Sequence, residues 1–249
     1  MIQVQKKNQI LIAELNRGVT NAINLELINE LSDIVKKTEQ DIEVHGLVLS
    51  SANEKFFSIG FDIPELFELD KKDFMIFYRA FNRLCLDLYT LPKPTIAAIT
   101  GHAVAGGCII ALCCDYRYIA PGKTKMGLNE IKLGVPIPYP VDCMLRQILG
   151  FRIAREITDA GDFYEADALL GIGMVDDIIP IEKLQTEAVA RAALLGGHPQ
   201  NAFAMIKRSR TETTETQILS KLEEKEEAFL ERWYAEETRE RLKEAMKKF

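Results

Sequence analysis

The stretch TIAAITGHAVAGGCIIALCCDYRYIAPGKTKMGLNE, Thr95 to Glu130, constrains the fold more than any other part of the chain. Thr95 to Ile99 is an apolar run that reads as a buried strand, and it stops at Gly101. Gly106 and Gly107 then open a small-residue helix over Cys108 to Cys114. A second extended run, Tyr116 to Ala120, leads to the loop that carries Glu130. The first amides of a helix lack an intrahelical acceptor and hold the positive end of its dipole. Two glycines there leave room for a ligand oxygen to approach. A carboxylate delivered beside it by a later loop can move a proton next to a carbonyl polarised by those amides.

The rest of the composition narrows the class. With 249 residues, 47% of them apolar, the chain can bury one large core, or one domain with an appendage. A net charge of −6 argues against nucleic acid as a partner, while leaving room for a local basic patch. The cysteines, Cys85, Cys108, Cys113, Cys114 and Cys143, show no metal-ligand spacing and sit in apolar patterns, so reduced, packed thiols and no metal are expected. MIQVQKKNQI has no long apolar run, no segment approaches a membrane span, and the C-terminal KKF is not a peroxisomal tail. The expectation is a cytoplasmic protein with no membrane partner.

In chain order, Ile2 to Val4 and Ile10 to Leu15 read as strands, followed by a helix capped by Asn24 and a buried strand over Gly46 to Leu49. The segment NEKFFSIGFDIPEL has no period. Its apolar residues around Gly60 fit either backbone lying close to a ligand or a loop plugging the edge of the core. Asp73 starts an amphipathic helix with Phe74, Phe77, Phe81, Leu84 and Leu88 on one face. After Glu130 comes the proline-rich loop GVPIPYP, then helices over Val141–Leu149, Arg152–Ala160 and Tyr164–Leu170, and a strand over Asp176 to Ile179. Helices follow over Lys183–Leu195, Ala202–Arg210, Thr216–Tyr234 and Glu236–Lys248. The last two have narrow apolar stripes that suit solvated helices, or packing on the core or another subunit. Strands early and helices late indicate an α/β core (1–195) with a helical C-terminal region (196–249).

The order of LNRGVTNAINLELINEL, FFSIGFDI, GHAVAGGCIIALCCDYRYIA and GLNEIKLGV resembles the crotonase superfamily, the enoyl-CoA hydratase/isomerase family. That resemblance implies a spiral of ββα units, a C-terminal helical region that mediates trimers or dimers of trimers, and an acyl-coenzyme A thioester substrate. It implies no separate cofactor, since coenzyme A is part of the substrate. By family position, the amides of Phe61 and Gly106 hold the thioester oxygen and Glu130 is the catalytic acid–base group. Ile59, Gly60, Asp62, Ile63, Gly107, Ile109, Pro136 and Tyr139 are the implied substrate-binding residues, with Asp62 also fitting a purely structural turn cap.

The family's hydratases carry a glutamate where this chain has Ile109. Adding water across a double bond suits two carboxylates sharing that water; moving a double bond needs only one. The expected reaction is therefore conversion of 3-enoyl-CoA to 2-enoyl-CoA. The alternatives are hydration, thioester hydrolysis, decarboxylation, or a non-catalytic acyl-CoA-binding subunit. Lys55, Arg17 and Lys207-Arg208 are either contacts for coenzyme A phosphates or solvated charges. His102 lies near the glycines without a nucleophile partner that spacing can supply.

Overall fold

The computed structural model describes residues 1–247. Strands β1 (Ile2–Lys7) and β2 (Ile10–Leu15) form a hairpin closed by Asn8 and Gln9, both at positive φ. Helix α1 (Leu25–Gln40) follows, its first turn capped by the Asn24 side chain, which accepts from the Leu27 amide at 3.0 Å. Then come β3 (Gly46–Ser51), β4 (Phe56–Ser58), the short α2 (Ile63–Phe67) and the long α3 (Lys71–Thr90). Next are β5 (Thr95–Ile99), β6 (His102–Val104), α4 (Gly106–Leu112), β7 (Tyr116–Ile119), β8 (Lys125–Gly127), α5 (Glu130–Leu133) and α6 (Tyr139–Ala160). The chain closes with β9 (Phe163–Glu165), α7 (Ala166–Gly171), β10 (Asp177–Ile178), α8 (Ile181–Gly196), α9 (Gln200–Trp233) and α10 (Glu236–Met246).

Two sheets share these strands. The larger runs β1-β2-β3-β5-β7-β10, parallel after the hairpin; the smaller runs β4-β6-β8-β9, parallel except for its last pair. Each of the pairs β3/β4, β5/β6 and β7/β8 places one strand in each sheet and then enters a helix. That repetition is the spiral of ββα units, and the fold is the α/β class expected from the sequence. Both faces of the large sheet are buried: Leu11, Ala13, Leu47, Leu49, Ala97 and Ile99 meet the main core, while Ile10, Ile12, Val48, Ile96 and Ala98 meet Leu184, Ala188 and Ala192 of α8. A parallel sheet covered on both sides explains why these strands are apolar without alternation.

Several boundaries differ from the sequence reading. The smaller sheet was not foreseen, because strands of three residues are too short to display a period. The helix expected over Tyr164–Leu170 begins as β9. The two helices expected on either side of residues 211–215 are one helix, α9. There the Thr211 hydroxyl donates to the Lys207 carbonyl at 3.0 Å and the Thr216 hydroxyl to Glu212 at 2.8 Å, so the threonines bond back along the helix instead of ending it. Gly150, at φ 72°, does divide α6 near the expected break. Lys248, the expected end of the last helix, and Phe249 lie outside the described residues.

The C-terminal helices are not a detached appendage. Ile218, Phe229 and Trp233 of α9 and Leu242 of α10 belong to the main core. Phe74 of α3 stacks on Trp233 at 4.4 Å and Tyr78 on Phe229 at 4.0 Å. Helix α10 returns over α2 and α5: Arg239 lies 3.3 Å above the Phe67 ring, and the Thr238 hydroxyl donates to the Gly134 carbonyl at 3.0 Å.

Candidate active site

A cavity of about 1200 Å³ opens where the small sheet meets the C-terminal helices. Ile59, Phe61, Ile63 and Gly106 line one side and Glu130, Leu133 and Val135 another, with Phe229 and Trp233 of α9 also in the wall. The exposed residues Lys132, Glu237, Glu240, Arg241, Lys243 and Glu244 make a charged rim.

Phe61 owes its position to the chain on either side of it. Ile23 donates to the Gly60 carbonyl at 2.7 Å and Asp62 donates to the Ile23 carbonyl at 2.9 Å. Such pairing leaves the amide of the intervening Phe61 directed away from Ile23, and no protein acceptor takes it among the described residues. Its ring packs edge-on against Phe77 and Phe81, at 4.9 and 4.8 Å, so the side chain serves the core while the backbone borders the cavity. Gly60 has φ 96°, and a β-carbon built there would lie 2.9 Å from the Val104 carbonyl oxygen and 3.0 Å from the Gly106 nitrogen. Only glycine fits that turn and that approach.

Gly106 is the first residue of α4, and its amide likewise has no protein acceptor among the described residues. The preceding Ala105 sits at φ 46°, ψ −116°, a conformation that costs an L-residue about 1–3 kcal/mol. This strained alanine sets the direction of the Gly106 amide. Nothing in the sequence signals it, since glycine is the residue expected in that conformation.

Glu130 begins α5 and is only 6% exposed. Its Oε2 has no hydrogen-bond partner. Burial raises its carboxyl to about 7 from an ordinary 4.5, its own backbone amide pulling weakly the other way. The single turn that holds it is braced twice: the Val135 amide donates to the Glu130 carbonyl at 3.2 Å, and Thr238 holds Gly134. Neighbouring Asn129 also has a buried unpartnered Oδ1 and lines the cavity.

The remaining candidates distribute unevenly. Ile59 and Ile63 line the cavity with the two amide residues and Glu130. Gly60 stands behind the wall. Gly107 packs under β4, where a β-carbon would lie 2.3 Å from the Ser58 carbonyl oxygen. Ile109 is buried in the main core and is not a lining residue. Asp62 is also off the wall: it caps α2 through the Glu65 amide and pairs with Arg17 at 2.6 Å, so its carboxylate is spent on the turn. Pro136 and Tyr139 line a different cavity.

The suggested phosphate contacts are redirected as well. Arg17 is taken by Asp62 and Glu65. Lys207 is 1% exposed and bonded to Asp115 at 2.7 Å and to the Lys93 carbonyl, and Arg208 pairs with Glu212 and Glu215. Lys55 faces the Phe56 ring. His102 accepts from the Lys125 amide through Nδ1, and burial lowers its pKa, consistent with a neutral structural ring. All five cysteines are free and buried, and desolvation pushes the Cys108, Cys113 and Cys114 thiols upward, away from nucleophilic use. The cavity residues that sequence reasoning missed include Asn129, Leu133 and Val135 beside Glu130, and Phe229, Trp233 and the rim of α10, whose stripes announced packing but not where. No helix among the described residues is long and apolar enough to cross a membrane.

Residues 5–249 match the enoyl-CoA hydratase/isomerase family model, and the chain belongs to that family within the crotonase superfamily. It is similar to enoyl-CoA delta isomerase 1, mitochondrial, of Mus musculus, with 29% identity over 76% of this chain. The match spans 65% of the length of that relative. It is also 31% identical to a short-chain-enoyl-CoA hydratase of Clostridium acetobutylicum, over 74% of this chain and 71% of the other. The crystal structure of human mitochondrial delta3-delta2-enoyl-CoA isomerase superposes with a TM-score of 0.95 at 25% identity, covering 99% of this chain and 97% of that one.

Proposed function

We propose that the protein isomerises 3-enoyl-CoA thioesters to 2-enoyl-CoA, with Glu130 as the only proton carrier. In this reading ionised Glu130 removes a proton from C2. The electron pair shifts to give a dienolate whose charge rests on the thioester oxygen, and the amides of Phe61 and Gly106 receive that charge. Protonated Glu130 then returns the proton at C4, leaving the double bond between C2 and C3. One preorganised donor of this kind is worth about 3–4 kcal/mol in the transition state.

The observation that carries the reading is the buried carboxyl of Glu130, its Oε2 without a partner and its pKa raised to about 7. A base poised there is ionised in useful amount at neutral pH and is still strong enough to take a carbon-bound proton. It is also the only buried ionisable side chain lining the cavity among the described residues. Likeness to named isomerases, in sequence and in fold, points the same way.

Hydration is the second reading, favoured by the likeness to the Clostridium hydratase. Against it stands Ile109, one helical turn beyond Gly106, which offers no carboxylate to share a water. Separate incubations with 3-hexenoyl-CoA and 2-hexenoyl-CoA decide between them. Migration of the double bond in the first without hydration of the second is expected; ready 3-hydroxyacyl formation without migration rejects the isomerase. Assembly as a homotrimer or dimer of trimers belongs to the same reading, and light scattering on the purified protein measures it.

A further inference from the structure

A second cavity, of about 620 Å³, adjoins the first, and the two share Val135 and Phe229 in their walls. The first cavity has a direction. Its charged rim suits the hydrophilic carrier of a thioester, and its apolar wall of Leu133, Val135, Phe229 and Trp233 suits hydrocarbon. An acyl chain extended past Glu130 therefore runs toward the partition.

The partition is stiff. Phe229 is buried and stacks on Tyr78 at 4.0 Å, with Phe74 and Trp233 each 6.3 Å away. Val135 lies in the loop that includes Pro136 and Pro138, with its amide bonded to the Glu130 carbonyl. The second cavity is lined by Ile137 and Ala228 and by the polar residues Asp142, Arg146 and Gln217.

We propose that Val135 and Phe229 are the chain-length stop of the acyl pocket, and that the cavity behind them is space which the wild-type chain withholds from substrate. The inference rests on the acyl-thioester reading of the first cavity, but not on the direction of proton transfer.

The test uses the full-length protein, titrated calorimetrically with saturated hexanoyl-CoA and dodecanoyl-CoA, together with turnover on 3-enoyl thioesters of the same two lengths. Wild type is expected to discriminate against the longer chain by about tenfold or more. Val135→Ala is expected to narrow that ratio at least fivefold. Adding Ala228→Phe to Val135→Ala refills the second cavity from its exposed outer wall, and is expected to restore the discrimination. Equal binding of both lengths by wild type, or an unchanged ratio in Val135→Ala, overturns the stop. So does persistence of the narrowed ratio after Ala228→Phe is added. A binding series that behaves as expected without turnover of any 3-enoyl thioester overturns the isomerase reading and leaves the stop standing. Failure of wild type to bind either thioester overturns both.

Discussion

The amide of Ala105 donates to the carbonyl of Gly127 at 2.9 Å, and this bond ties the glycine turn to the strand that delivers Glu130. Gly106 follows Ala105 directly, and Glu130 lies three residues beyond Gly127. The Gly106 amide and the Glu130 carboxyl are thus set relative to each other by the pairing of β6 with β8, Ala103 opposite Met126 and Val104 opposite Gly127. The pairing of two inner strands, rather than two independent loops, fixes the spacing of these two groups.

Glu130→Gln keeps the size of the side chain and removes the base. Turnover of a 3-enoyl-CoA is expected to fall by at least roughly 10³-fold, while thioester binding stays within a few-fold. Calorimetry beside a kinetic assay separates the two, and wild-type turnover in the variant rejects the role of Glu130.

The raised carboxyl makes two linked pH predictions. Activity needs ionised Glu130, so kcat/KM is expected to rise with pH through a single ionisation near 7. Stability runs the other way. Between pH 4.5 and 7 the folded chain keeps a proton that the unfolded chain has lost, so stability declines across that window. Above pH 7 the full penalty applies, on the order of 3 kcal/mol. Glu130→Gln should therefore be more stable than wild type at pH 8 and lose that advantage below pH 4.5; denaturant unfolding at the two pH values reads it directly.

Gly60→Ala forces a side chain into a left-handed conformation and toward the Gly106 nitrogen. It is expected to cost about 1–3 kcal/mol of stability. It should also lower kcat roughly tenfold or more by parting the two amides. A destabilised variant with normal kcat would separate this glycine from the chemistry.

Lys207→Met leaves Asp115 with Arg210 and the Thr95 amide but without its buried cation. Loss of about 3 kcal/mol in stability is expected. Because Lys207 is sealed against Asp115, KM for the thioester should not change. A raised KM with unchanged stability would return this lysine to the role of phosphate contact.

Ile109→Glu puts a carboxylate one helical turn beyond Gly106, where the family's hydratases carry theirs. Measurable hydration of 2-enoyl-CoA is expected, followed by loss of its conjugated absorbance, at a stability cost of several kcal/mol for the buried charge. A folded variant with no hydration shows that a second carboxylate alone is insufficient.

Much of this arrangement is legible in the residues. The strand–glycine–helix segment, the cap at Asn24 and the apolar face of α3 follow from period and turn chemistry. So does the pairing of a glycine loop with a helix start. Other features were beyond reach because they depend on residues far apart in the chain. Pro136 and Tyr139 are close to Glu130 in sequence, yet Val135 and Phe229 wall them off from it. Asp62 is legible as a turn cap, which its bond from the Glu65 amide bears out, but its ion pair with Arg17, 45 residues earlier, is not. The strain at Ala105 has no compositional mark at all.

The return of α10 across α5 has a consequence for how the protein tolerates shortening. No strand of either sheet comes from α10, so a chain cut before Glu236 retains its entire β framework. What disappears is the outer brace on Gly134, supplied by a hydroxyl 104 residues downstream. Such a chain would also lack Leu242 in the core, so the turn carrying Glu130 would loosen as the fold itself weakened.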